Sequence, residues 1–245
     1  MPLSAANVVQ AKTGSIGGGG ATSADITLDN PTTAGNTVTV EMHGPAVWPG
    51  MPPGWDFDGS YPDVGPILWV FRLSGAASPG GETSWTWTTL GPSAWMWRVT
   101  EWDVGLDPVD PFEIYAGNVA SGASVPTFSS GTTATTNRAE VVALAMFRWS
   151  FAGGADPTRT FGFGPYTNGF TERDEVRVNG TAGEFDAAWA WAFAEATGTF
   201  ETTATVTSSS SSSQDSYFAQ IAVYAATVPV VVPAPTVMTS SGGGP

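Results

Sequence analysis

Along most of the chain, apolar and polar residues alternate in short runs rich in Val, Thr and aromatics, and Gly, Pro, Asn and Asp cut these runs apart. Alternation at period two places successive side chains on opposite faces of an extended strand, so the pattern predicts β-structure throughout. Strands are expected near 6–13, 23–29, 36–43, 66–73, 83–89, 93–102, 139–149, 169–178, 186–195, 200–207 and 216–225. One segment, EFDAAWAWAFAEA at 184–196, also fits a helical period. Its Trp189, Trp191 and Phe193 at strict i, i+2 spacing decide for a strand.

The densest aromatic stretch is ETSWTWTTLGPSAWMWRVTEWD at 82–103. Trp85 and Trp87 share one face of a strand, with Ser84, Thr86 and Thr88 on the other. After a Leu-Gly-Pro-Ser turn, Trp95 and Trp97 share one face of the returning strand. Such a face is either a platform on which sugar rings stack or a wide core between two sheets.

Comparison of the two halves of the chain decides between these readings. The run Asn36-Thr-Val-Thr-Val-Glu-Met42 parallels Arg138-Ala-Glu-Val-Val-Ala-Leu-Ala-Met146, and Gly54-Trp55 parallels Gly169-Phe170. Aligning the hairpins on Glu82 and Glu201 sets Trp85 and Trp87 against Ala204 and Val206. Trp95, Trp97 and Val99 then fall against Ala219, Ile221 and Val223. A core face needs apolar residues in both copies, whereas a sugar platform has no use for Ala and Val, so the four indoles are expected in the core. Trp48 and Trp102 remain as candidate exposed aromatic contacts.

The chain has 245 residues, 42% of them hydrophobic, enough to bury a substantial core. Asp and Glu number 22 against 8 Lys and Arg, a net charge of −14. That field repels phosphate backbones and anionic lipid, so neither nucleic acid nor membrane insertion is expected. Zero cysteines exclude disulfides and thiolate metal sites. No apolar run approaches the roughly 18–20 residues that span a bilayer, and the N-terminus MPLSAANVVQAK lacks the pattern of a signal peptide. Lys12 is the only lysine, a skew that, with abundant Ala, Gly and Thr, fits a GC-rich coding genome.

Catalytic chemistry is thinly represented. A single histidine, His43, cannot form the usual zinc sets and fits a structural role. A Gly-x-Ser-x-Gly elbow is missing. Asp56-Phe-Asp58-Gly59 begins like a calcium loop but lacks the downstream glutamate. Asp103, Asp107 and Asp110 are crowded enough for a hard cation, although Asp ahead of Gly and Pro ordinarily caps turns. No carboxylate pair stands out as a glycosidase couple. The expectation is a protein without catalytic residues, cofactor or metal.

The series AGNTVTV at 34–40, PPGWD at 52–56, LWVFRLSG at 68–75, GETSWTWT at 81–88 and WRVTEWDVGLDPVDP at 97–111 resembles a β-sandwich family of virion proteins of tailed bacteriophages. There an Ala-Gly-Asn strand start, a Pro-x-Gly-Trp turn, a Gly-Glu-Thr hairpin and a closing acidic-aromatic segment recur in this order. NGFTERDEV at 168–176 and IAVYAA extend the scheme, so the resemblance covers about residues 6–226. It implies an all-β, antiparallel two-sheet β-sandwich of jelly-roll type over residues 1–227, with half-repeats at about 34–105 and 136–226. It implies a structural role in the virion, as a minor tail or tail-tip component, and no catalytic residues. A capsid decoration protein and a carbohydrate-binding module for the host envelope are the alternatives. The partners implied are other virion proteins, in a symmetric homo-oligomer or hetero-assembly, or a host surface glycan. The codon skew suits a phage of a GC-rich actinobacterium.

The Pro- and Gly-rich segment 228–245 departs from the bare module and reads as an assembly arm. Val230, Val231, Val232, Pro233, Pro235 and Val237 are its candidate interface residues, because the valines suit a strand laid on a neighbour's sheet edge.

Overall fold

The computed structural model describes residues 5–16, 22–44, 48–61, 67–74, 78–88, 95–103, 112–121, 127–133, 141–151, 161–178, 186–195, 199–208 and 215–225. The expected arm residues Val230 to Val232, Pro233, Pro235 and Val237 lie outside these. The strands are β1 (Val8–Ile16), β2 (Ser23–Thr27), β3 (Thr37–Gly44), β4 (Asp56–Tyr61), β5 (Ile67–Leu73), β6 (Ser84–Thr88), β7 (Trp95–Trp102) and β8 (Phe112–Ser121). They continue as β9 (Thr127–Ser129), β10 (Val141–Phe151), β11 (Phe161–Tyr166), β12 (Thr171–Val178), β13 (Asp186–Glu195), β14 (Thr203–Ser208) and β15 (Asp215–Ala225). The fold is all-β and every strand pairing is antiparallel, as the alternation predicts. The described part of the ambiguous segment at 184–196 is strand, β13.

Among the described residues the strands form four sheets, where the sequence reading expected two. One five-stranded sheet has the order β1-β7-β3-β5-β4 and the other β12-β13-β10-β15-β8. Smaller sheets pair β2 with β6 and order β11-β14-β9. Counted from β1 in the first segment and from β8 in the second, the five-stranded sheets share one strand order. With β11 set aside, each small sheet joins the second strand of its segment to the sixth, β2 to β6 and β9 to β14. The second segment has one strand more, β11. Strand β1 runs against β12 and β4 against β8, so edges of the two large sheets meet at both sides.

The first large sheet is buried on both faces along β3, β5 and β7. One face carries Val38, Val40, Met42, Trp69, Phe71, Trp95, Trp97 and Val99 against Ile26, Trp85 and Trp87 of the small sheet. All four tryptophans of the two i, i+2 pairs are therefore core residues, and on β6 the polar Ser84, Thr86 and Thr88 face solvent. Ala219, Ile221 and Val223, aligned with Trp95, Trp97 and Val99, are buried too. Gly54 and Gly169 both take positive φ, 87° and 77°, and each precedes a buried aromatic, Trp55 or Phe170, at the start of an edge strand.

Two glycines make room for the indoles. Gly14 on β1 pairs with Trp97, and Gly44 on β3 lies beside Trp95. A Cβ on either would come within 2.2 Å of the ring. The rings thus fill the space that a side chain on the neighbouring strand would occupy.

Trp97→Ala should cost about 3–5 kcal/mol, as large-to-small core changes do. Gly14→Ala should cost about 1–3 kcal/mol by overpacking against the same ring. Urea unfolding of both variants checks this; a Gly14→Ala protein as stable as wild type would mean that the indole is free to move aside.

Candidate interaction surface

The second face of the first large sheet is polar and nonetheless buried. Alternation puts Thr37, Thr39, Glu41 and His43 of β3 opposite the Val and Met face, and all four are buried. Across the β3–β7 ladder, Glu41 pairs with Arg98, Thr39 with Thr100 and Thr37 with Trp102. From β15 of the other large sheet, the Tyr224 hydroxyl donates to Glu41 Oε1 at 2.6 Å. Arg98 Nη1 donates to the Thr100 hydroxyl. On β5, Arg72 stands 3.4 Å from Asp58 Oδ1 and 3.9 Å from Asp56 Oδ2. A bulge between Phe57 and Gly59 supplies Asp58 as an extra residue of β4, beside the ladder partner of Arg72. This layer holds Glu41, Arg98, Asp58 and Arg72, two charges of each sign, where the two large sheets meet.

Burial pushes the Glu41 carboxyl above its ordinary range, and the neighbouring Arg98 and the Tyr224 hydrogen bond oppose that rise. Tyr224 is pushed well above the usual phenol range by burial and by the Glu41 carboxylate, so its hydroxyl remains a donor.

Trp102, expected as an exposed contact, belongs to this buried layer. It is 0% exposed, its Nε1 donates to Thr39 Oγ1 at 3.0 Å, and its ring lies 6.1 Å from that of Tyr224. Tyr224 of the second large sheet covers it, a contact that the local sequence does not encode. His43 is buried in the same face.

Trp48 does lie at the surface, 39% exposed. Its ring stands edge-on to Phe57 at 4.7 Å, Trp69 at 5.1 Å and Phe71 at 6.0 Å. Phe57 on β4 and Met51 are as exposed as Trp48, so an aromatic cluster rooted in the core emerges at the β4 edge. Sequence reasoning missed Phe57 because Asp56, Asp58 and Gly59 around it read as the start of a calcium loop. The available signal was the D-F-D alternation, which the β4–β5 register places opposite Phe71.

The acidic candidates separate. Asp103 accepts from Asn7 Nδ2 at 2.9 Å, and its N–H donates to the Asn7 carbonyl, a terminus-fastening role. Asp107 and Asp110 lie outside the described residues. Among the described residues no three His, Asp or Glu side chains gather as a metal-holding group. No helix of the described residues is long and apolar enough to cross a membrane.

Because the folded-state value of Glu41 lies above the ordinary 4.5, the native protein takes up this proton before the unfolded chain does. The corresponding stability is fully present below that ordinary value and is lost as pH rises through the folded value. The unfolding free energy of wild type minus that of Glu41→Gln should therefore fall as pH rises from about 4.5 towards 7, wild type losing stability relative to the neutral variant. Urea titrations at several pH values measure it; a wild type that gains stability relative to Glu41→Gln as pH rises would show that Arg98 outweighs burial.

No family model, curated protein or solved structure matches the chain.

Proposed function

We propose that this chain is a structural protein of a tailed-bacteriophage particle, a minor tail or tail-tip component acting by multivalent assembly. The observation that carries the reading is the ordered series of motifs from Ala34 to Pro111, four of which have described residues at a strand start or end. The Ala-Gly-Asn segment starts β3, the Gly54-Trp55 turn starts β4, the Gly-Glu-Thr segment starts β6 and the Glu101-Trp102-Asp103 segment ends β7. In such a particle, contacts that are weak singly become strong when symmetry repeats them.

The same proposal includes a duplicated jelly-roll-type unit, one copy spanning β1 to β7 and the other β8 to β15. Three pairs of features support it besides the shared strand order. The Thr32 hydroxyl donates to Glu82 Oε2 at 3.1 Å, and the Thr132 hydroxyl to Glu201 Oε2 at 2.9 Å. The Leu28 N–H donates to the Thr83 carbonyl, and the Ser130 N–H to that of Thr202. The β1 with β12 and β4 with β8 contacts exchange under a two-fold axis between the copies. A capsid decoration role would use the same unit.

A second reading, binding of a host-envelope glycan, is favoured by the Trp48, Phe57 and Met51 cluster with the exposed Asp56 beside it. Aromatic faces stack on sugar rings, and carboxylates accept from their hydroxyls.

Antibodies raised against the purified chain should decorate intact phage particles in negative-stain micrographs, at tail positions. Particles that carry none of the protein by labelling and by mass spectrometry would overturn the virion reading. A chain truncated after Ala226 should fold normally yet fail to incorporate; incorporation at wild-type levels would make the arm dispensable. Specific retention on a glycan array that Trp48→Ala abolishes would favour the second reading.

A further inference from the structure

The two segments differ at one place that bears on assembly. Strand β14 has neighbours on both sides, β9 and β11. Its counterpart β6 has β2 on one side and, on the other, a single bridge from Gly50 to Thr88. Aligned on Glu82 and Glu201, Thr88 corresponds to Thr207, whose partner in β11 is Gly162. Gly50 is thus the remnant of a strand that β11 completes in the second segment. From Gly162 to Gly169 the chain has room to run along β14, whereas from Gly50 to Gly54 it turns away at once through Pro52 and Pro53.

The bridge also identifies which groups are left open. Gly50 N–H donates to the Thr88 carbonyl at 2.7 Å and Thr88 N–H to the Gly50 carbonyl at 2.9 Å, so the peptide groups of Thr88 point outward. Strand alternation points those of Thr86 and Ser84 the same way, while Thr83 pairs towards Leu28 on the β2 side. Among the described residues the outward groups of Ser84 and Thr86 meet no backbone partner, and both residues are exposed. The result is a short, open strand edge on the rim of an aromatic core.

We propose that this edge is filled by the segment Val230 to Val232 from a second copy of the chain, added antiparallel in the place that β11 takes beside β14. Val230 then lies opposite Thr86 and Val232 opposite Ser84, and both pair their N–H and C=O groups with β6. Pro229 and Pro233 are in phase with Val231, which points its peptide groups away from β6. Neither proline therefore removes a needed donor, and both blunt the new outer edge against a further strand. The open stretch and the valine run match in length, and proline bounds the run on each side.

Distance selects a second copy over the chain's own arm. Strand β15 ends at Ala225 in the second large sheet, while β6 lies beyond the far face of the first. Two sheet-to-sheet steps of about 10 Å make about 20 Å. The five residues from Ala225 to Val230 span at most about 17–18 Å when fully extended. The inference extends the assembly reading above by naming its partner and its register.

The absence of cysteine makes a clean test. Full-length Thr86→Cys and Val230→Cys proteins, purified separately, are mixed and oxidised, and linked peptides are mapped by mass spectrometry. An 86–230 disulfide joining two chains is the expected result. Proline replacements on the Thr86→Cys and Val230→Cys background supply the phase test. Val232→Pro removes a docked N–H and should lower cross-linking about tenfold, the equivalent of one lost hydrogen bond of about 1.4 kcal/mol. Val231→Pro removes an outward N–H and should leave it unchanged. Absence of the 86–230 link in the mixture, a link formed only when both cysteines are on one chain, or equal loss with both prolines overturns the proposal. Failure here with particles still labelled by antibody refutes the docking alone; unlabelled particles with a positive cross-link refute the virion reading alone.

Discussion

Everything in the first segment follows from a sheet that is buried on both faces. An antiparallel sheet ordinarily keeps one face for water, and its strands then alternate apolar and polar side chains. Here β3 alternates in that manner, yet its polar side is enclosed, so each polar group must find a partner inside the protein. The Tyr224 hydroxyl on Glu41, the Arg98–Thr100 contact and the Trp102–Thr39 bond answer that requirement. They also lock register, since a slip of one residue on β3 would drive Glu41 into the indoles and Val40 into the charged layer.

With both faces of β3, β5 and β7 occupied, the described residues of the first segment leave backbone and apolar groups exposed at the rims. The aromatic cluster at Trp48 and the open side of β6 both lie where the small two-stranded sheet stops short of its larger counterpart. The carboxylates at positions such as Asp25, Asp29 and Asp56 are exposed and keep that part of the surface hydrated.

The sequence disclosed the strands that lie inside the sheets and concealed many at their margins. β3, β5, β7, β10, β13 and β15 need residues that suit burial, so Val, Ile and Trp at alternating positions mark them. β4, β8, β9 and β11 were not foreseen, and each is an edge strand of its sheet. An edge tolerates Gly, Pro and Asp because one side of its backbone meets no ladder, so FGFGPY and DFDGSY lack the unbroken apolar alternation that marks an inner strand. The core role of the tryptophans was legible because a second copy of the pattern carried Ala and Ile at the same places. The burial of Trp102 was not, since it depends on Tyr224, which is 122 positions away in sequence and whose approach no local pattern encodes.

The glycines beneath the indoles tie distant positions together. Gly14 and Trp97 occupy a single volume, as do Gly44 and Trp95, so neither member of a pair can drift by itself. A shrinking ring would leave a void that only a growing neighbour could fill, and the intermediate with one change would be worse than either end. Evolution at these sites must therefore proceed by correlated steps, and the aromatic core is held in place by a barrier between sequences as much as by its own packing.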